Sequence, residues 1–187
     1  MASILPMDEL NRLDAALREQ FGDGELPKDK AVMRATEDLL EDLFLYAYAM
    51  GNEVTNENLS SDYQPSIDDV MEIVDAKVAG KTWRERVEDY FSNGGTGADI
   101  SRIAATETHR IANKAAFQTA RASGATSKTW HCMMLPTSRD THIYLDGVSA
   151  PIDGEFYSFK GGKTQYPGQW GIAEEDVNCL CWLSFSK

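Results

Sequence analysis

The chain has 187 residues, with 30 acidic against 18 basic side chains and a formal net charge of −12 at pH 7. A net-anionic protein has no general attraction to phosphate, which excludes a uniformly basic nucleic-acid binder and leaves only contacts built locally. With 42% hydrophobic and 26% charged residues the composition is that of a globular protein, large enough to bury roughly 70% of its unfolded surface. The longest apolar run, Leu43 to Met50, falls far short of the roughly 20 residues of a membrane-spanning helix, so no membrane association is expected. Met1-Ala2-Ser3-Ile4-Leu5-Pro6-Met7 has no basic leader, so a secretory signal is not expected either. Three cysteines, Cys132, Cys179 and Cys181, are an odd number and fit a reducing compartment better than a disulfide framework.

Charge divides the chain. Residues 1–100 hold 9 Lys+Arg and 22 Asp+Glu, a net −13, whereas residues 101–187 hold 9 and 8, a net +1. The acidic part reads as helices. Leu10, Leu13 and Leu17 recur at helical spacing, and Leu39, Leu40, Leu43, Phe44 and Ala47 continue it up to a stop at Gly51. Val70, Ile73, Val74 and Val78 form a third apolar face ending at Gly80. Thr82-Trp83-Arg84-Glu85 matches a capping box opening a short helix to Phe91.

Ser92-Asn93-Gly94-Gly95-Thr96-Gly97 reads as a hinge or linker by composition, and it lacks the lysine and preceding strand of a phosphate-binding loop. Asp99 then caps a long helix to about Ala122, ended by Gly124. One side of this helix carries Ala104, Ile111 and Ala115 beside Ala105, Ala112 and Ala116, a small-residue seam. Arg102, Arg110, Lys114 and Arg121 fall within about 120° of arc on the other side. Such a stripe could meet DNA or an acidic protein. It is also what a solvated helix face looks like, and Glu107 stands within pairing reach of Arg110.

Beyond Gly124 the texture is that of strands and turns: a strand from Lys128 to Met134, a helical turn from Arg139 to Leu145, and hairpins between Gly147 and Gly171. Val177, Cys179, Cys181, Leu183 and Phe185 alternate with their neighbours as a final strand would. The class is α+β: a helical N-terminal half, a long helix and a small, mostly antiparallel sheet.

Cys179-x-Cys181 is the sharpest local signal for a metal, because residues two apart on a strand point the same way. Further ligands would have to come from His142, Cys132 or His131. The alternative is that both cysteines are small apolar core groups, the usual role of free cysteine; on that reading there is no cofactor, and zinc is the one that the donors would take. His142 titrates nearest neutral pH and could serve acid/base chemistry, or could fix the turn at Gly147 by hydrogen bonding to backbone or Asp146. Cys132 and His131 are adjacent on a strand and face opposite ways, so they cannot act as nucleophile and base together.

In order along the second half, several stretches resemble the Mu F-like family of phage head morphogenesis proteins. They are Thr82-Trp83-Arg84-Glu85-Arg86, Thr106-Glu107-x-x-Arg110-x-x-Asn113-x-Ala115, Gly124 with Lys128-x-Trp130, and Arg139-x-x-His142-x-x-Leu145-Asp146-Gly147. Pro151-x-Asp153-x-x-Phe156, Tyr166-Pro167-Gly168 and Asn178-Cys179-x-Cys181 complete the series. Leu135 and Leu180 stand where the family usually has an acidic residue and an arginine. The resemblance covers roughly residues 81–183. It implies an acidic helical region at 1–80 before a Mu F-like domain at 81–187, in a chain that is a short version or a fragment of its relatives. It also implies a non-enzymatic minor capsid protein, associated with the portal in the virion interior and in the host cytoplasm during assembly. Such a protein would assist head assembly and genome packaging or delivery, with packaged double-stranded DNA a further partner. The competing expectation is a small nuclease or toxin-type enzyme using His142 and Arg139, since this family is also found joined to toxin domains.

Overall fold

A computed structural model describes residues 4–187; Met1, Ala2 and Ser3, part of the N-terminal stretch read for a leader, lie outside the described residues. Five helices precede a small sheet. They are α1 (Met7–Phe21), α2 (Lys30–Leu59), α3 (Ile67–Val74), α4 (Trp83–Asn93) and α5 (Gly97–Ala122). The sheet region comprises β1 (Ser127–His131), α6 (Asp140–Ile143), β2 (Ser149–Pro151), β3 (Phe156–Tyr157), β4 (Lys163–Thr164), α7 (Ala173–Asp176) and β5 (Trp182–Ser186). The class is α+β. Among the described residues no helix is long and apolar enough to cross a membrane.

Side-chain caps set the helix starts. The Asp29 carboxylate accepts from the N–H groups of Ala31 and Val32 to open α2, and Ser66 and Asp69 form a capping box on α3. Thr82 and Glu85 form the expected box on α4. α5 starts earlier than expected: Thr96 is the cap, and Asp99 sits three residues in, accepting from the Thr96 N–H and hydroxyl at 2.9 Å each.

Two glycine readings change. Gly51 does not stop α2; it lies inside the helix and lets it touch α5, because a Cβ there would stand 2.3 Å from the Ala112 carbonyl oxygen and 3.1 Å from the Ala115 Cβ. The small-residue seam of α5 is therefore the α2 contact. The two helices run the same way where they meet, since Asn52 bonds Thr119 and Ser61 bonds Ser123 further along. The glycines at 94–97 are a packed corner and not a hinge. Gly94 takes φ +80° as the left-handed cap of α4, and a Cβ on Gly95 would overlap Tyr90. The Gly95 carbonyl also accepts from Leu26 N–H at 2.7 Å.

α3 ends at Val74, short of Val78, which instead pairs with Lys81 in a tight turn. Phe44 and Trp83, both fully buried, meet edge to face at 5.1 Å between α2 and α4. The Arg84 guanidinium lies 4.2 Å over the Trp83 ring and pairs with Glu41 at 2.8 Å.

In the sheet β1 is central, antiparallel to both β2 and β5, with Trp130 opposite Leu183. β3 and β4 form a separate hairpin. One apolar cluster joins α1–α5 through Ala116; a second, from Phe117 onward, holds Trp130, Phe156, Tyr166, Trp170 and all three cysteines. α5 therefore serves the first core from Ile100 to Ala116 and the second through Phe117.

Two strands, the central β1 and the outer β5, are shorter than the sequence implies. β1 ends at His131 because the next N–H, that of Cys132, donates to the Asp146 carboxylate at 2.8 Å instead of to a neighbouring strand. β5 begins only at Trp182, so Cys179 and Cys181 lie in an irregular segment before it. Side chains hold the backbone there. Asn113 donates to the Cys181 carbonyl at 3.1 Å, Arg139 donates to the Val177 carbonyl, and Asn178 takes φ +54°.

Candidate functional site

His142, Cys179 and Cys181 come together although no strand aligns the cysteines. His142 sits on the short helix α6, whose turn closes through backbone bonds from His142 and Ile143 to the Arg139 carbonyl. Glu175 sits on α7. The next residue, Asp176, accepts from the N–H groups of Trp170 (2.9 Å) and Gly171 (2.8 Å), and Asn178 then turns the chain so that both thiols face the imidazole.

The Nδ1 atom of His142 lies 3.4 Å from the Cys179 Sγ and 3.4 Å from the Cys181 Sγ. On the other side of the ring, Nε2 stands 3.0 Å from the Glu175 carboxylate, too bent for a hydrogen bond. That carboxylate also accepts from the Thr141 hydroxyl at 2.8 Å and the Ser158 hydroxyl at 3.5 Å. His142 and Glu175 are 2% and 1% exposed at the side chain. Trp130 meets the imidazole edge-on at 5.9 Å and Trp170 stacks on it at 6.1 Å.

Burial in this box moves several protons. A hydrogen bond from Cys181 holds the Cys179 thiol well below its usual value, against the cost of burial and with help from His142. Cys181 moves the other way, raised by that same neighbour and by burial. Burial lowers His109 on α5 and raises Asp176, which backbone N–H groups partly offset. One shallow cavity of about 40 Å³ reaches the cluster, and its walls include Cys132, Leu135, Arg139 and Asn178.

His142 does not fix the Gly147 turn through Asp146, as its ordinary reading had it. Asp146 serves Cys132, and Gly147 takes φ +77° to close the turn. His131 points away, stacked on Trp182 and 2.7 Å from the Ser184 hydroxyl. Cys132 lines the cavity without joining the cluster. Glu175 was missed by the sequence reading, and Glu174-Glu175-Asp176 offers no signal that would separate its two buried members, Glu175 and Asp176, from a solvated acidic run.

The basic stripe is not a free cationic face. Arg110 is 8% exposed: it bonds Glu107 at 2.7 Å and the Ile73 carbonyl at 3.0 Å, because the fully buried Glu107 carboxylate needs cationic partners. Arg86 supplies the second, at 2.5 Å. Arg102 pairs with Asp99 at 3.2 Å and Arg121 with Asp153 at 3.1 Å, while the Lys114 ammonium lies 5.1 Å over the Tyr166 ring. Trp130 and Asn113 are fully buried. Glu107, Asn113, Trp130, Arg139, Asp146 and Gly147 thus hold the fold that presents His142 and the cysteines.

No family model matches the chain, and no solved structure matches it. Two curated proteins do. The chain is 28% identical to an NAD(+)-arginine ADP-ribosyltransferase of Enterococcus faecalis over 148 residues, 61% of this chain and 30% of that protein. It is 32% identical to the minor head protein GP7 of Bacillus phage SPP1 over 85 residues, 44% of this chain and 28% of that protein. The chain thus spans under a third of the length of each relative, and its similarity to a phage head protein is distant and partial.

Proposed function

We propose that this chain is a minor head protein of a tailed phage or prophage, of the Mu F-like kind, held at the portal inside the virion and assisting head assembly and genome packaging or delivery. The similarity to GP7 carries the reading. The way the Mu F-like motifs fold supports it. Arg86, Glu107 and Arg110 meet in one buried cluster, Asn113 holds the Cys181 carbonyl, Arg139 holds that of Val177, and Gly168 lies so close to α5 that a Cβ there would stand 3.1 Å from the Arg110 Cα. Stretches far apart in sequence therefore depend on one another structurally, as the motifs of a single domain should. The test is co-elution of the purified chain with the portal protein of its own phage, together with mass spectrometry of purified virions. Co-elution and presence in virions are expected; failure of both overturns the reading.

A second reading, a toxin-type enzyme, draws on the similarity to the ADP-ribosyltransferase and on a thiol, an imidazole and a carboxylate in line at Cys179, His142 and Glu175. Incubation with NAD and an arginine-bearing acceptor, and separately with RNA and DNA, tests it. Turnover that is lost in His142→Ala would establish the enzyme.

A further inference from the structure

We propose that His142 and the two thiolates of Cys179 and Cys181 bind a zinc ion, with Glu175 orienting the imidazole from behind. The inference rests on the geometry of this cluster and is independent of the head-protein reading.

Four observations carry it. First, the spacing is right. Tetrahedral zinc with bonds of about 2.1 Å to nitrogen and about 2.3 Å to sulfur sets its N···S separations at roughly 3.6 Å, and both Nδ1···Sγ distances here are 3.4 Å. Second, both sulfurs converge on the same nitrogen, and the three ligand atoms lie within 4.8 Å of one another. A nucleophile and its base would need only one thiol. Third, the far side of the imidazole faces a carboxylate 3.0 Å away, and that carboxylate is itself held by Thr141 and Ser158. The negative charge beside Nε2 favours the ring proton on that nitrogen, the tautomer that leaves Nδ1 free for a metal, and small rotations of the two side chains would complete the hydrogen bond. Fourth, the donors are two thiolates and an imidazole, a set suited to zinc and not to magnesium or calcium.

Burial as plain core does not account for the same atoms. Two apolar cysteines would have no use for a buried histidine between Trp130 and Trp170 with a buried carboxylate behind it, and desolvating those groups is costly. Coordination repays that cost: zinc displaces the protons still on the thiols, which pass to solvent, and the cation balances the anionic ligands. Three protein ligands leave a fourth position, which we assign to a water in the cavity of about 40 Å³ beside Arg139 and Asn178, room for a water or two.

The test uses the full chain, purified under reductant without chelator, loaded with zinc alone, dialysed and measured for metal. About one equivalent per chain is expected; less than about a tenth of an equivalent overturns the proposal. Cobalt alone gives a second reading. A sulfur-to-cobalt charge-transfer band in the wild type supports the thiolate ligands, and bound cobalt without that band overturns them. Glu175→Gln is expected to weaken zinc binding about 10–100-fold. Equal binding by a Cys179→Ala/Cys181→Ala double variant overturns the site. Should that variant not fold, zinc must protect Cys179 and Cys181 from alkylation in the wild type, and equal labelling with and without zinc overturns the proposal.

Discussion

Gly51 and Ala112 hold α2 and α5 in contact: a Cβ on Gly51 would stand 2.3 Å from the Ala112 carbonyl oxygen. The obstacle is backbone, which cannot rotate aside, so a larger residue must push the helices apart. Gly51→Ala removes a helix-interior glycine, a local gain of about 1 kcal/mol. Strain in a packed core costs about 1–3 kcal/mol, and here it falls on two long helices at once. Urea unfolding of Gly51→Ala should therefore show a net loss of about 1–2 kcal/mol, and Gly51→Val a larger one. A stabilised Gly51→Ala would mean that the helices do not approach this closely.

Glu107 is the anion of a buried cluster whose cations are Arg86 and Arg110. Removing one partner of such a set strands the others without solvent, at a cost of about 3–5 kcal/mol. Glu107→Ala is expected to lose that much in urea unfolding, and Arg110→Met somewhat less, since Arg86 still neutralises the carboxylate. An apolar triple variant, Arg86→Met/Glu107→Leu/Arg110→Met, should recover most of the loss. Strict additivity of the single changes would show that the three side chains do not act as a unit.

The Lys128 side chain is fully buried, with its ammonium 4.6 Å over Phe117 and 5.5 Å from Phe156 and no hydrogen-bond partner among the described residues. Burial pushes its pKa down from 10.5 to about 8. Between those values the unfolded chain holds a proton that the native chain has released, so stability rises with pH across that window; below about 8 both states are charged and the full penalty applies. Burial raises Tyr48 and Tyr166 to about 12, and their contribution is lost as pH climbs from 10 toward 12, so the comparison stops at pH 10. Lys128→Met should be more stable than the parent at pH 7 by on the order of 1–3 kcal/mol, with the gap closing by pH 10. A gap that stays constant with pH would place the ammonium in water.

Local chemistry made much of the fold legible. The capping box at Thr82, the alanine seam of α5 and a strand through Trp130 each depend on neighbours in sequence, and each is present in the structure, the strand ending at His131 instead of Met134. What failed depends on contacts far along the chain. Gly51 reads as a stop because only the packing of α5, sixty residues on, shows why the helix needs a glycine there. The segment at 92–97 reads as a hinge because its contacts with Tyr90 and Leu26 leave no mark in composition. In the candidate site the donors His142, Cys179 and Cys181 could be named from type and spacing. The strand invoked to align the cysteines is absent, and an asparagine turn with two side-chain bonds to backbone carbonyls does that work. Glu175 could not be named, since nothing local marks which acids of the three turn inward or which of them meets the imidazole.

Salt dependence tests what remains of the basic stripe. With Arg110 consumed by Glu107 and Ile73, at most Arg102, Lys114 and Arg121 can reach a phosphate. Each must first leave an internal partner, and Lys114 starts from a pKa already lowered by burial. Three phosphate contacts limit the slope of log K against log salt to about −2.7. Binding to duplex DNA, titrated at several salt concentrations, is therefore expected to be weak, with a slope no steeper than that. The Arg102→Ala/Lys114→Ala/Arg121→Ala variant should abolish it, whereas Arg110→Met should leave the slope unchanged. A slope that drops by about one unit in Arg110→Met would put that guanidinium on DNA and require the Glu107 cluster to open.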